Sequence, residues 1–166
     1  MIAMDVVGVR VEMPSNQPIV LLKEATGNRF LPIWVGAVEA TAIAFAQQGV
    51  QPPRPLTHDL MRDLLDQLSG TLTAVHITEL REGVFYAQLA IHTSEAADLL
   101  ISARPSDAIA LALRTQSPIF ASALLLDQAG IEVPEASNAE TPEAANEEVA
   151  RFREFLEQIN PEDFLS

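Results

Sequence analysis

The hydrophobic pattern changes period twice within the first hundred residues, and this constrains the fold more than any other feature of the chain. Residues 2–13 carry the run Val6-Val7-Gly8-Val9, and alternation continues through Val11 and Met13. A two-residue period suits a strand with one buried face. Pro14-Ser15-Asn16 breaks it. Residues 18–24 and 29–35 read as two further strands around Thr26-Gly27-Asn28, a hairpin signal. Pro32 belongs where no ladder donor is needed. At Gly36 the period becomes helical, and GAVEATAIAFAQQ is expected to run until Gly49 stops it.

Gln51-Pro52-Pro53-Arg54-Pro55 reads as a stiff extended connector. Thr57 is placed to cap a second helix, THDLMRDLLDQLS. Leu60, Met61, Leu64, Leu65 and Leu68 form its apolar stripe, with Asp59, Arg62, Asp63 and Asp66 on the other side. The period returns to two over 71–80 and 84–92, a hairpin around Arg81-Glu82-Gly83. With Leu80 set opposite Val84, the inner face carries Val75, Ile77, Phe85, Leu89 and Ile91. His76, Thr78, Tyr86 and Gln88 then face water or a partner. A short strand is expected over 98–103. Pro105 starts a third, largely apolar helix, PSDAIALALRTQ, and Ser122 caps a last short one ending at Gly130. Strands alternating irregularly with helices predict an α/β (α+β) fold: a single domain with a mixed β-sheet and three to four packed helices.

The body should span residues 1–131, with residues 132–166 forming an acidic linker and tail. The stretch PEASNAETPEAANEE (134–148) has the low hydrophobicity of a linker. Beyond it, Val149, Phe152, Phe155, Leu156 and Ile159 share one face of an expected C-terminal amphipathic helix. Charge follows the same division. Through residue 130 there are eight lysines and arginines against thirteen aspartates and glutamates, a net of −5; beyond it two stand against ten, a net of −8. Neither half looks like a phosphate-backbone binder, which would be basic. A nucleic-acid role would need a local arginine cluster or a bound divalent cation. The chain lacks cysteine, which excludes disulfides, thiolate-ligated zinc and thiol catalysis. The opening MIAMDVVGVRVEM has no basic leader region, and no run approaches a membrane span, so a cytoplasmic location is expected.

No Walker loop, GxGxxG, HExxH or GxSxG motif is present. What remains is three helix starts bearing acids: Glu39 after Gly36, His58-Asp59 after Thr57, and Asp107 after Arg104-Pro105-Ser106. An acid in a first turn is also what capping and the helix dipole favour. The alternative is that the three starts meet on one side of the sheet. Carboxylates plus an imidazole would then suit Mg²⁺ or Mn²⁺, and His58 could serve as base or ligand. Arg54 and Arg104, each beside a proline, could grip phosphate. His76 and His92 suit solvent or interface positions, and Trp34 suits the core.

Three stretches carry a resemblance: LPIWVGAVEATAIA (31–44), RPLTHDLMRDLL (54–65) and ARPSDAIALALR (103–114). Together they resemble the bifunctional nuclease family, over about residues 2 to 131. The resemblance implies a self-associating α/β domain, a dimer being the simplest homo-oligomer, that cleaves both RNA and DNA. The family's motif positions fall on Glu39, Arg54, His58, Asp59, Arg104, Ser106 and Asp107. Two functions then compete. One is a metal-assisted phosphodiesterase with Glu39, Asp59 and Asp107 on the cation, His58 as base, and Arg54, Arg104 and Ser106 on substrate. The other is a non-enzymatic module using the same cleft for an anion or a protein partner. On either reading, His58, Asp59, Arg104 and Asp107 should lie together.

Overall fold

The computed structural model describes residues 1–94 and 98–132. Three antiparallel strands come first: β1 (Ile2–Glu12), β2 (Gln17–Glu24) and β3 (Arg29–Trp34). β1 is bulged between Val6 and Gly8, and Gly8 takes φ +153°, a conformation that disfavours a side chain. Pro32 pairs with Leu21 of β2 and lies beyond the two residues of β3 that meet the sheet's last strand, so its missing donor breaks no outer ladder bond.

Helix α1 (Ala37–Gln47) starts at the extended cap Gly36, and Gly49 follows it with φ +66°. Helix α2 (Thr57–Gln67) differs from expectation at its cap. Leu56, not Thr57, is the cap residue. A leucine side chain accepts nothing, so the Asp59 carboxylate stabilises the helix start by accepting the Leu56 N–H at 2.9 Å. The expected stripe of α2 also divides. Met61 and Leu65 pack against the core, whereas Leu60, Leu64 and Leu68 are 50%, 52% and 75% exposed.

β4 (Gly70–Arg81) and β5 (Val84–Thr93) form the second hairpin. Its register is one residue off the expected one: Leu80 pairs with Phe85 and Arg81 with Val84. The cause is a two-residue turn in which Glu82 and Gly83 both have positive φ, the type I′ geometry that fits strand twist. Val75, Ile77, Leu89 and Ile91 are buried as expected. The outer face is less open than expected. His76 meets Phe120 edge-to-face at 5.9 Å, and the Arg81 guanidinium lies 4.6 Å from the Tyr86 ring centre.

β6 (Leu99–Ala103) pairs with β5 and leads into α3 (Pro105–Thr115), whose residues Ala108 to Ala112 are all buried. Two very short strands complete the sheet: β7 (Ile119–Ala121), and β8 (Ile131–Glu132) after α4 (Ala123–Ala129). Ser122 caps α4 by accepting the Leu125 N–H. Among the described residues the sheet order is β6-β5-β4-β7-β1-β2-β3-β8. β7 joins the two antiparallel halves, parallel to β4 and antiparallel to β1. α3 lies over β4 and β5 and packs against both α1 and α2, so the starts of three helices come near one another. The chain is therefore a single mixed α/β domain. No helix among the described residues is long and apolar enough to cross a membrane. The expected helix over 149–159 lies outside the described residues.

Candidate active site at the helix starts

Each of the three helices brings one polar group to a common point. His58 sits in the first turn of α2 and is 7% exposed. Its Nε2 lies 3.0 Å from Asp107 Oδ1, in the first turn of α3. Arg104, the extended residue before Pro105, folds back on the same carboxylate. Its Nε donates to Asp107 Oδ2 at 2.7 Å and its Nη2 to Oδ1 at 3.1 Å. Its Nη1 reaches Glu39 Oε1 of α1 at 2.9 Å. Pro105 fixes the backbone at the position where a helix needs no N–H, between Arg104 and the Asp107 carboxylate it grips.

Burial alone would raise the Asp107 pKa and is the largest single influence on it. Hydrogen bonds from Arg104 and His58 outweigh it, so Asp107 ends below the usual carboxylate value and ionised near neutrality. Arg104 is held above its ordinary value, chiefly by its hydrogen bond to Asp107.

Asp59 adjoins His58 in the chain but turns elsewhere. Its Oδ1 accepts from Arg114 Nε at 2.6 Å and its Oδ2 from the Leu56 N–H. Arg114 is in the last turn of α3, two turns or roughly 10 Å from Asp107. The structure thus joins Glu39, His58, Arg104 and Asp107 and directs the Asp59 carboxylate into a separate contact. Burial pushes the Asp59 pKa up, but the Arg114 and Leu56 hydrogen bonds win and lower it. Arg54 is exposed and makes no ion pair or hydrogen bond to a described residue. Ser106 is 7% exposed, and its hydroxyl likewise has no partner among the described residues.

Arg114 is the residue that sequence reasoning passed over. Besides Asp59, its Nη1 donates to the carbonyls of Ala42 in α1 and Ala110 in α3. One guanidinium thereby ties α1, α2 and α3 together. The available signal was a single cation in a helix otherwise read as buried, since a buried arginine requires a partner. A cleft of about 480 Å³ opens on this side, lined by Pro52, Asp59, Arg62, Asp63, Arg114 and Gln116. Both its arginines are paired with aspartates. The Glu39–His58–Arg104–Asp107 cluster is not part of the lining of this cleft.

Glu39, His58 and Asp107 are donor types that suit a hard divalent cation. As they stand they close around Arg104 instead, and among the described residues no three acids or imidazoles are gathered as a chelate.

Residues 20–134 match the model of the bifunctional nuclease domain. An uncharacterized protein of Mycobacterium tuberculosis is 52% identical over 160 residues, covering 96% of this chain and 95% of its own length. Bifunctional nuclease 1 of Arabidopsis thaliana is 29% identical over 147 residues, covering 87% of this chain and 44% of its own length. Bifunctional nuclease 1 of Oryza sativa subsp. indica is 25% identical over 128 residues, covering 76% and 39%. The chain thus spans less than half of these plant relatives. With a family match over most of its body and motif residues gathered at three helix starts, the chain belongs to the bifunctional nuclease domain family.

Proposed function

We propose that the chain is a nuclease that cleaves phosphodiester bonds in RNA and DNA at the Glu39–His58–Arg104–Asp107 cluster. The observation that supports this best is the nearly buried His58 held through Nε2 by Asp107, 3.0 Å away. A carboxylate accepting from Nε2–H leaves Nδ1 bare. His58 Nδ1 then takes the proton from the attacking water or hydroxyl, and later returns it to the leaving oxygen. Asp107 is a positioning residue in this scheme, since it acts through His58. Arg104, 65% exposed, and the exposed Arg54 supply positive charge to the phosphate. The Ser106 hydroxyl offers a further hydrogen bond to substrate. Glu39 and Asp107 are the residues that would hold a divalent metal, Mg²⁺ or Mn²⁺, which would supply charge neutralisation. Asp59, with both oxygens engaged, supports the helix that carries His58.

Cleavage of labelled single-stranded RNA and DNA by the full chain is expected with Mg²⁺ or Mn²⁺ and should stop in EDTA. Full activity in EDTA would remove the metal from the scheme and leave the nuclease. A second reading, a binding module for an anionic ligand or protein partner, is favoured by one observation: Glu39 and Asp107 are both already ion-paired with Arg104. Failure to cut any RNA or DNA with either metal would select it.

We also infer a homo-oligomer, most simply a dimer. The support is exposed apolar surface on α2 (Leu60, Leu64, Leu68) and on the edge strand β6, where Leu99, Leu100 and Ile101 are 44%, 61% and 45% exposed. Light scattering should give about twice the chain mass at micromolar concentration, and Leu64→Glu with Leu100→Glu should return the monomer mass. A monomer mass for the unaltered chain would remove this inference.

A further inference from the structure

A buried guanidinium needs partners for its N–H groups, and Arg114 leaves one nitrogen without any. Its side chain is 6% exposed. Nε donates to Asp59 and Nη1 to the Ala42 and Ala110 carbonyls, while Nη2 donates to no described residue. No described side-chain nitrogen is both sealed from water and without a partner, so Nη2 keeps an opening. The cleft of about 480 Å³ that Arg114 lines supplies it. Arg62 of α2 lines the same cleft. Its Nε and Nη2 both donate to Asp63 Oδ1, and Nη1 donates to no described residue. The exposed Arg54 is one residue from Pro55, which also lines the cleft. The fold therefore gathers three arginines, far apart in the sequence, around one hollow. Asp59 and Asp63 offset Arg62 and Arg114 in formal charge, and Arg54 brings the neighbourhood to +1. In a body of net −5 this is a local cationic point that a phosphate can use.

The rest of the lining suits a flat polar ring. Val50, Pro52 and Leu113 offer apolar surface, and the Gln51 and Gln116 amides have donors and an acceptor without described partners. The volume falls within the about 300–1,000 Å³ of small-ligand sites. Asp59 ties the cleft to the reaction centre: its chain neighbour His58, about 100° away around α2, meets Asp107. We propose that this cleft is a nucleotide subsite. It takes one unpaired nucleotide of the substrate, the phosphate on Arg62 and Arg114, the base on the apolar wall with the glutamine amides at its edge. The next phosphate along the strand then falls toward His58 and Arg104. That placement beside the scissile bond rests on the nuclease reading above; the affinity of the cleft for a nucleotide does not.

The test is binding of adenosine 5′-monophosphate to the full chain in EDTA, measured by equilibrium dialysis. The unaltered chain should take up one equivalent. Adenosine and inorganic phosphate should each bind about tenfold more weakly or less well still, since each fills only part of the site. Arg62→Gln breaks a pair whose side chains are 39% and 42% exposed, so the fold is retained while affinity falls about tenfold. His58→Ala, outside the lining, should bind the nucleotide as the unaltered chain does. No uptake by the unaltered chain at millimolar nucleotide overturns the inference. So does affinity undiminished in Arg62→Gln, or affinity lost in His58→Ala, which would move the nucleotide to the helix-start cluster. Inorganic phosphate bound as tightly as the nucleotide would also overturn it, leaving an anion site without a base pocket. Cleavage assays keep the two readings apart. Cleavage without nucleotide uptake removes the subsite and leaves the nuclease; uptake in the cleft without cleavage of any RNA or DNA removes the nuclease and leaves the binding site. Should Arg62→Gln fail to fold, Gln51→Ala on the exposed connector decides, and affinity equal to that of the unaltered chain overturns the inference.

Discussion

Arg114→Ala should lower the melting temperature by roughly 10–20 °C. Arg114 and Asp59 have side chains only 6% and 13% exposed. Removing the cation leaves a carboxylate nearly out of water with one backbone N–H for company. Breaking one partner of such a pair costs about 3–5 kcal/mol. Spread over a body of this size, that is the stated shift, at about 3–4 °C per kcal/mol. The Ala42 and Ala110 carbonyls also lose a donor, and α1 loses one of its polar links to α2. The pair should make stability pH-dependent with a definite sign. The folded-state pKa of Asp59 lies below its ordinary value. Its contribution is therefore fully present above the unfolded value, about 4, and is lost as pH falls through the folded one. Thermal melts followed by circular dichroism at pH 7 and below pH 4 check both claims. In the alanine variant the acid-induced loss should shrink. A melting temperature within two degrees of the unaltered chain would show that the three helices hold together without this contact.

Asp107→Asn should have the opposite profile, with fold retained and chemistry lost. The Asp107 carboxylate is partly open, and Arg104 on it is mostly exposed, so that ion pair is worth no more than about 1 kcal/mol. The first-turn charge adds a similar amount through the helix dipole. The melting temperature should therefore fall by only a few degrees. Catalysis should fall much further. An amide offers His58 Nε2 an N–H as readily as an oxygen, so it no longer specifies which imidazole nitrogen is bare. Loss of a positioned base costs typically about 10²–10⁴ in rate, and His58→Ala should lose a comparable factor. Single-turnover cleavage at saturating substrate, beside melts of both variants, separates the cases. Variants that lose stability and cleavage in proportion would show a structural pair. Variants that retain cleavage would leave the His58–Asp107 contact without a catalytic part.

Much of this architecture was legible locally. The extended cap at Gly36, the proline start of α3 and the Ser122 cap of α4 were readable because capping depends on a few neighbouring residues. Strands β1, β4 and β5 showed through their two-residue period, and β2 and β3 as apolar segments around a hairpin signal. The polar residues at the helix starts stood out by residue type, and Glu39, His58, Arg104 and Asp107 do meet. Nothing local distinguished His58 from Asp59. Adjacent residues on a helix point about 100° apart, so which of them meets Asp107 depends on how α2 crosses α3.

The three residues of β7 and the two of β8 are too short to carry any period, and their neighbours come from distant parts of the chain. The hairpin slipped by one residue because two positive-φ turn positions set its register, which the apolar alternation alone did not fix. By itself the sequence determined the longer helices and strands and which side chains have reactive chemistry, since those follow from composition and spacing along the chain. Only the tertiary structure decided that Arg104 stands between Glu39 and Asp107 and that Arg114 binds three helices together, because both depend on contacts between residues as far as 72 positions apart.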